Sequence, residues 1–182
     1  MGLHCVQGFV NLEESTDRDG CLMVLKGSHL HHQALHARFG SKGKGDWYKL
    51  TDEEVEWMKQ QDGVTMVKVT APKGALVLWD SRTIHCNIPP SKRDDVEVVD
   101  GPRIRHVCYV CMTPRALIKP NQLAKKVGAF NELRTTSHWP HQVKLNSLRP
   151  NSYGKPIVGE GYRVPRPVLT DRARQLAGVL AY

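Results

Sequence analysis

APKGALVLWDSRTIHCN, residues Ala71–Asn87, is the stretch from which the rest of the chain is read. Its opening Pro72-Lys73-Gly74 predicts a turn, because Pro fixes φ and Gly reaches conformations that other residues avoid. Ala75 to Trp79 then reads as a buried strand rather than a helix, since the apolar run is short and bounded by turn signals. Asp80 to Thr83 interrupt the run, and Ile84-His85-Cys86 resume it. His85 therefore follows a polar turn with fixed backbone behind it, a placement from which an imidazole can face a pocket. Taken alone, such a histidine is more often a hydrogen-bonded structural residue than a ligand.

The chain around this stretch has 182 residues, enough for one domain with a sizeable core or a domain with an extension. It is 40% hydrophobic and 24% charged, an ordinary globular balance. No apolar run approaches a membrane span, and no signal-peptide pattern opens the sequence, so no membrane partner is expected. Gly2 follows Met1, but Val6 stands where a myristoylation pattern needs Ser or Thr. Five cysteines, an odd number, point to reduced thiols and a cytoplasmic setting. The net charge of +8 is uneven: residues 115–182 hold 12 Lys/Arg against 3 Asp/Glu, leaving 14 against 15 in the first 114. A basic tail can attract anionic surfaces, but a solvated extension is the preferred reading. Nucleic-acid binding would rest on that charge alone, with no recognition motif, and ranks last.

Outward from the central stretch, short strands dominate. His4 to Leu12 reads as a strand with Val6, Val10 and Leu12 on one parity and Gln7 and Asn11 on the other. Glu13–Gly20 is polar and ends in Asp-Gly, a turn signal. Cys21–Leu25 is a second apolar strand, expected to pair antiparallel with the first. Val64–Thr70 is rich in β-branched residues and reads as a strand. Arg103–Met112 does too, with Arg103, Arg105, Val107, Tyr109 and Cys111 on one parity. The best helix is Thr51–Gln61: Thr51 and Glu54 form a capping box, Leu50 and Val55 a staple, and Asp62-Gly63 the stop. Strands with one good helix predict a mainly β antiparallel fold of sandwich or jelly-roll type.

Other features carry less. His32 and His36 have the spacing that places two ligands on one helical face, but Gln33 stands where a zinc protease needs Glu. A polar loop or short exposed helix is preferred for His29–His36. Cys108 and Cys111 form a CxxC, yet on a strand they face opposite sides and read as packing residues. Beyond Pro114 the pattern changes. Helices are expected over Asn121–Arg134, capped by Asn121, and over Thr170–Leu180, capped by Thr170.

Three stretches, NLEESTDRDGCLMVLKGSHLHH, KGALVLWDSRTIHCN and RIRHVCYVCMTPR, occur in an order and at distances that resemble the C-terminal two thirds of a phytanoyl-CoA dioxygenase-like protein. That family belongs to the Fe(II)/2-oxoglutarate-dependent oxygenases. The resemblance covers roughly Val6 to Arg115. It implies a double-stranded β-helix, a jelly roll with helices outside, here incomplete at its N-terminal side. Residues 1–115 would be the C-terminal part of that domain and 116–182 a basic extension wrapping it. It also implies Fe(II) as cofactor, 2-oxoglutarate as cosubstrate and a small organic substrate to be hydroxylated. On the family pattern His85 is the distal iron ligand and Arg105 the 2-oxoglutarate anchor, with Arg103 the alternative on the same parity. Gln7 and Trp79 are pocket-lining candidates. Gly27-Ser28-His29 matches the family's structural turn, so His29 is not a ligand candidate. No catalytic residue beyond the metal ligand is implied.

The family's proximal His-x-Asp/Glu pair occurs nowhere in the 182 residues; His4 is followed by Cys5 and Val6. The expectation is therefore an N-terminally truncated chain, active only if the missing ligands are supplied. The alternative is a non-catalytic jelly-roll binding module that has lost its iron site.

Overall fold

The Pro-Lys-Gly turn forms as the sequence predicts. Gly74 has φ 83°, and the Ala75 amide donates to the Pro72 carbonyl at 3.2 Å. A positive φ at the third position of such a turn selects glycine. The computed structural model describes residues 5–40, 47, 49–90, 105–146, 151–152, 155–156 and 166–181. The chain divides into two units, Met1–Val110 and Cys111–Tyr182.

The first unit is built on two small antiparallel sheets with helices. Strands β1 (Val6–Asn11), β4 (Leu76–Asp80) and β6 (Val107–Met112) form one, in the order β4-β1-β6. Strands β2 (Cys21–Lys26), β3 (Thr65–Val69) and β5 (His85–Ile88) form the other, in the order β3-β2-β5. The expected pairing of the first two strands is corrected here: β1 pairs with β4 and β2 with β3 and β5. The reason is the link between them. Residues 12–20 cross from one sheet to the other, anchored midway by a bridge between Ser15 and Ala71. A hairpin would need a tight connection of a few residues.

Burial tells the two parities of β1 apart. Phe9 and Asn11 are buried at 1% and 0% exposure, whereas Leu12 is 47% exposed. The inward face is the one carrying Gln7, Phe9 and Asn11, so the strand turns its polar residues inside. An inward polar face departs from simple amphipathic burial and marks a place where something other than packing is served.

Helices α1 (His32–Phe39) and α2 (Asp52–Lys59) accompany the second sheet. Leu25 of β2, Leu35 of α1, Met58 of α2 and Val64 form a buried cluster, with Leu50, Val55, Trp57 and Ile84 packed on it. The capping box at α2 is present: the Thr51 amide donates to Glu54 Oε2 at 2.7 Å, and the Glu54 amide to Thr51 Oγ1 at 3.3 Å. A 3₁₀ turn over Ser28–His31 joins β2 to α1. It begins at Gly27, where φ is 87° and a Cβ would stand 2.4 Å from the Gly63 carbonyl oxygen. Only glycine fits both demands.

The second unit holds α3 (Pro120–Asn131), a short pair β7 (Asn151–Ser152) and β8 (Lys155–Pro156), and α4 (Asp171–Ala177). The cap of α3 is Lys119 rather than Asn121. Pro120 takes the first helical position, where its missing N–H costs nothing. Thr170 caps α4 as predicted, its hydroxyl accepting from the Ala173 amide at 3.2 Å. Lys126 of α3 donates to the Leu176 carbonyl of α4 at 3.3 Å.

Candidate functional site

One face of each sheet brings several of the expected residues together, around a buried Phe9 and with His85, Asn87 and Tyr109 exposed. Register sets the first face: Gln7 stands opposite Trp79, and Phe9 opposite Val77. Cross-strand partners share a face. The Trp79 indole N–H donates to Gln7 Oε1 at 3.1 Å. Phe9 meets Trp79 edge to face at 6.0 Å between centroids, and meets Tyr109 of β6 at 6.3 Å. Register sets the second face too, placing His85 opposite Val24 and Asn87 opposite Leu22. The two faces touch where the His85 ring meets Trp79, 5.3 Å between centroids.

His85 is held in one orientation. Its Nδ1 lies 2.7 Å from the Thr83 carbonyl oxygen. A carbonyl only accepts, so Nδ1 carries the proton and Nε2 keeps its lone pair. Metal-binding histidines are fixed in this way, by a carbonyl on the other ring nitrogen. The backbone just before it is also fixed, since Ser28 Oγ, fully buried, accepts the Ile84 amide at 2.8 Å. The Gly27-Ser28 turn is thus structural, as the sequence suggests, and its structural task is to place the His85 strand.

Arg105 precedes β6 and lies over the Phe9 ring, 5.0 Å from guanidinium carbon to centroid. Its Nη1 donates to Asn87 Oδ1 at 3.4 Å. Its Nε and Nη2 are buried and have no hydrogen-bond partner among the described residues. A guanidinium always carries its charge, and buried N–H donors without acceptors are costly. Such a group is chemically suited to receive an anion. Arg103, the alternative anchor, lies outside the described residues, as does His4.

The cluster thus joins His85, Trp79, Gln7 and Arg105 through Phe9, with Asn87 and Tyr109 at its edges. Phe9 and Asn87 were not foreseen as site residues. Each shares a strand parity with one that was, Phe9 with Gln7 and Asn87 with His85, and that periodicity is the signal that finds them. Asn11, which shares the Gln7 parity, does not join them; its side chain is taken up by the loop at Ala71.

The neighbouring electrostatics are ordered. Asp80 and Arg82, on the turn leading to His85, form an ion pair with Arg82 Nε 2.9 Å from Asp80 Oδ1. That hydrogen bond holds the Asp80 carboxyl below the usual carboxylate range. Burial pushes the Cys21 thiol up, which makes it an inert packing residue. No group of three or more His, Cys, Asp or Glu among the described residues is arranged to hold a metal ion. An open depression lined by Glu14–Asp17 and Thr70–Pro72 contains neither His85 nor Arg105. No described helix is long and apolar enough to cross a membrane.

Residues 3–86 match the model of the phytanoyl-CoA dioxygenase (PhyH) family, a stretch that runs from β1 to the start of β5 and includes His85. The chain is 28% identical over 152 residues to "Ava biosynthesis cluster protein O" of Aspergillus versicolor, an alignment covering 78% of this chain and 45% of that protein. The chain therefore spans about half the length of the curated relative it matches. Over residues 3–86, the chain is similar to the phytanoyl-CoA dioxygenase family.

Proposed function

We propose that the first unit is the cosubstrate-binding part of an Fe(II)/2-oxoglutarate-dependent oxygenase acting on a small organic molecule. The observation that carries this reading is Arg105: a guanidinium with two buried nitrogens that have no partner among the described residues, in the same ring cluster as an imidazole that offers Nε2. The 2-oxoglutarate far carboxylate suits that vacancy, because a guanidinium fork receives a carboxylate with two hydrogen bonds. Asn87 steers the guanidinium, and Phe9 supports its flat face. The two sheet faces, read as part of a jelly roll, supply the walls. Gln7 and Trp79 line the mouth, with Gln7 fixing the indole.

The residues fit the cosubstrate better than the metal. His85 is a credible single ligand, but one imidazole does not hold Fe(II), which needs the two-histidine, one-carboxylate set. The donors of a His-x-Asp/Glu motif occur nowhere in the sequence. Bound iron would supply oxygen activation; the residues present bind and orient. Hydroxylation is accordingly a property of this unit only when those donors are provided. All five cysteines are free of disulfides, in keeping with a cytoplasmic setting.

The test is anaerobic titration with Fe(II) and 2-oxoglutarate, following the metal-to-ligand charge-transfer band, alongside calorimetry with 2-oxoglutarate alone. The expected result is weak 2-oxoglutarate binding that Arg105→Gln abolishes, with the charge-transfer band dependent on His85 and on added donors. If 2-oxoglutarate binds equally to wild type and Arg105→Gln, or to neither, the reading fails and the non-catalytic module takes its place.

A further inference from the structure

A second histidine cluster, on α1, has no part in the proposed reaction. His32 and His36 are four residues apart and therefore on one face of the helix. Their Nε2 atoms stand 3.3 Å apart, with ring centroids at 4.5 Å and planes inclined by 69°. Both residues are half-buried. Leu35 between them is 2% exposed and anchors α1 in the cluster with Leu25 and Met58, so the backbone that spaces the two rings is fixed. Burial, then the neighbouring His36 and Arg82, hold the His32 pKa below the usual imidazole value, against the smaller opposite pull of the Asp80 carboxylate.

The spacing has two chemical meanings. Two imidazole nitrogens can share one proton as N–H···N. They can also share one ion: with metal–nitrogen bonds of about 2.0–2.1 Å in tetrahedral geometry, the nitrogens stand about 3.3–3.4 Å apart. We propose that His32 and His36 form a two-ligand site for a borderline divalent ion such as Zn(II). No third His, Cys, Asp or Glu among the described residues completes a cluster. With these two ligands alone, the ion would keep water in its remaining positions, an open and exchangeable site rather than a closed structural one. Imidazole selects ions of the zinc, copper and nickel type over calcium and magnesium, which prefer oxygen. The site shares no residue with the His85 and Arg105 cluster, so it stands or falls apart from the proposed reaction.

The deciding experiment is a Zn(II) titration of the full chain, with the histidine ring nitrogens followed by long-range proton–nitrogen correlation spectra. The expected result is that Nε2 of two imidazoles shifts in step and saturates at one ion per chain. His32→Gln and His36→Gln should each weaken binding by about tenfold or more, as loss of a ligand does; His85→Ala should leave it unchanged. Ring signals of His32 and His36 that do not move with Zn(II) overturn the site, whatever the variants do. So does binding that survives both glutamine variants and disappears in His85→Ala.

Discussion

The Asn11 side-chain amide donates to the Ala71 carbonyl at 2.8 Å, a bond that closes 60 residues of chain. The same nitrogen lies 3.3 Å from the Pro72 carbonyl and 3.3 Å from Ser15 Oγ, so one buried amide gathers the end of β1, the crossing link and the turn before β4. Asn11→Asp would replace that donor with a carboxylate facing two carbonyl oxygens. At neutral pH the substitution should lower unfolding free energy by about 3–5 kcal/mol, the cost of an unpaired buried charge. Part of the loss should return in acid, where a protonated carboxyl regains a donor. Urea unfolding at pH 7 and at pH 4 checks both statements.

Ser28→Ala should cost about 1–3 kcal/mol, because it leaves the Ile84 amide without its acceptor. The serine is fully buried, so nothing on the surface compensates. Urea denaturation measures the loss. Because the bond lies one residue before His85, hydrogen exchange should also quicken at the Ile84 amide while the Thr51 and Glu54 amides stay protected.

Thr51→Ala should destabilise by about 1 kcal/mol, the usual worth of an N-cap hydroxyl. Thr51→Ser keeps the hydroxyl and should stay close to wild type. A thermal melt of the three proteins in one buffer gives the comparison. An alanine variant as stable as wild type would show that the Glu54 half of the box suffices.

The Asp80–Arg82 pair sets a pH dependence. The Arg82 hydrogen bond lowers the Asp80 pKa in the folded state, so the folded carboxyl holds its proton less tightly than the unfolded one, near 3.9. Its stabilisation is complete above that unfolded value and fades as pH falls through the lower, folded one. With Asp80 at 16% and Arg82 at 29% side-chain exposure, the contribution is about 1 kcal/mol. Asp80→Asn should flatten the acid limb of a stability profile below about pH 4 and leave the neutral region parallel to wild type.

Local signals in the sequence foretell local structure well. Thr51 with Glu54, Pro72 with Gly74 and Thr170 ahead of its helix each set geometry through neighbours a few residues away. Strand pairing is different. Nothing within Val6–Lys26 shows that β1 and β2 lie in separate sheets, because that is decided by partners near residues 65–80. Parity groups Gln7 with Asn11 on one side of β1, but which side is buried depends on Phe9 and on Trp79 and Tyr109, which arrive from distant strands. Arg105 and His85 come to notice through family resemblance. Their joining through Phe9 and Asn87 is a three-dimensional fact that no spacing encodes.

The pairing of β1 with β4 also governs when the fold can form. Val6 meets Asp80, so among the described residues the earliest strand to pair with β1 stands some seventy residues later in the chain. The second sheet closes around β2 from residues 65–69 and 85–88, with the Thr51 helix between. At synthesis rates of about 5–20 residues per second, β1 waits several seconds as an open strand edge. Contacts this distant in sequence slow the search for the native pairing and lengthen exposure to other chains. A circular permutant that places β4 directly before β1 would turn the slowest pairing into a local one.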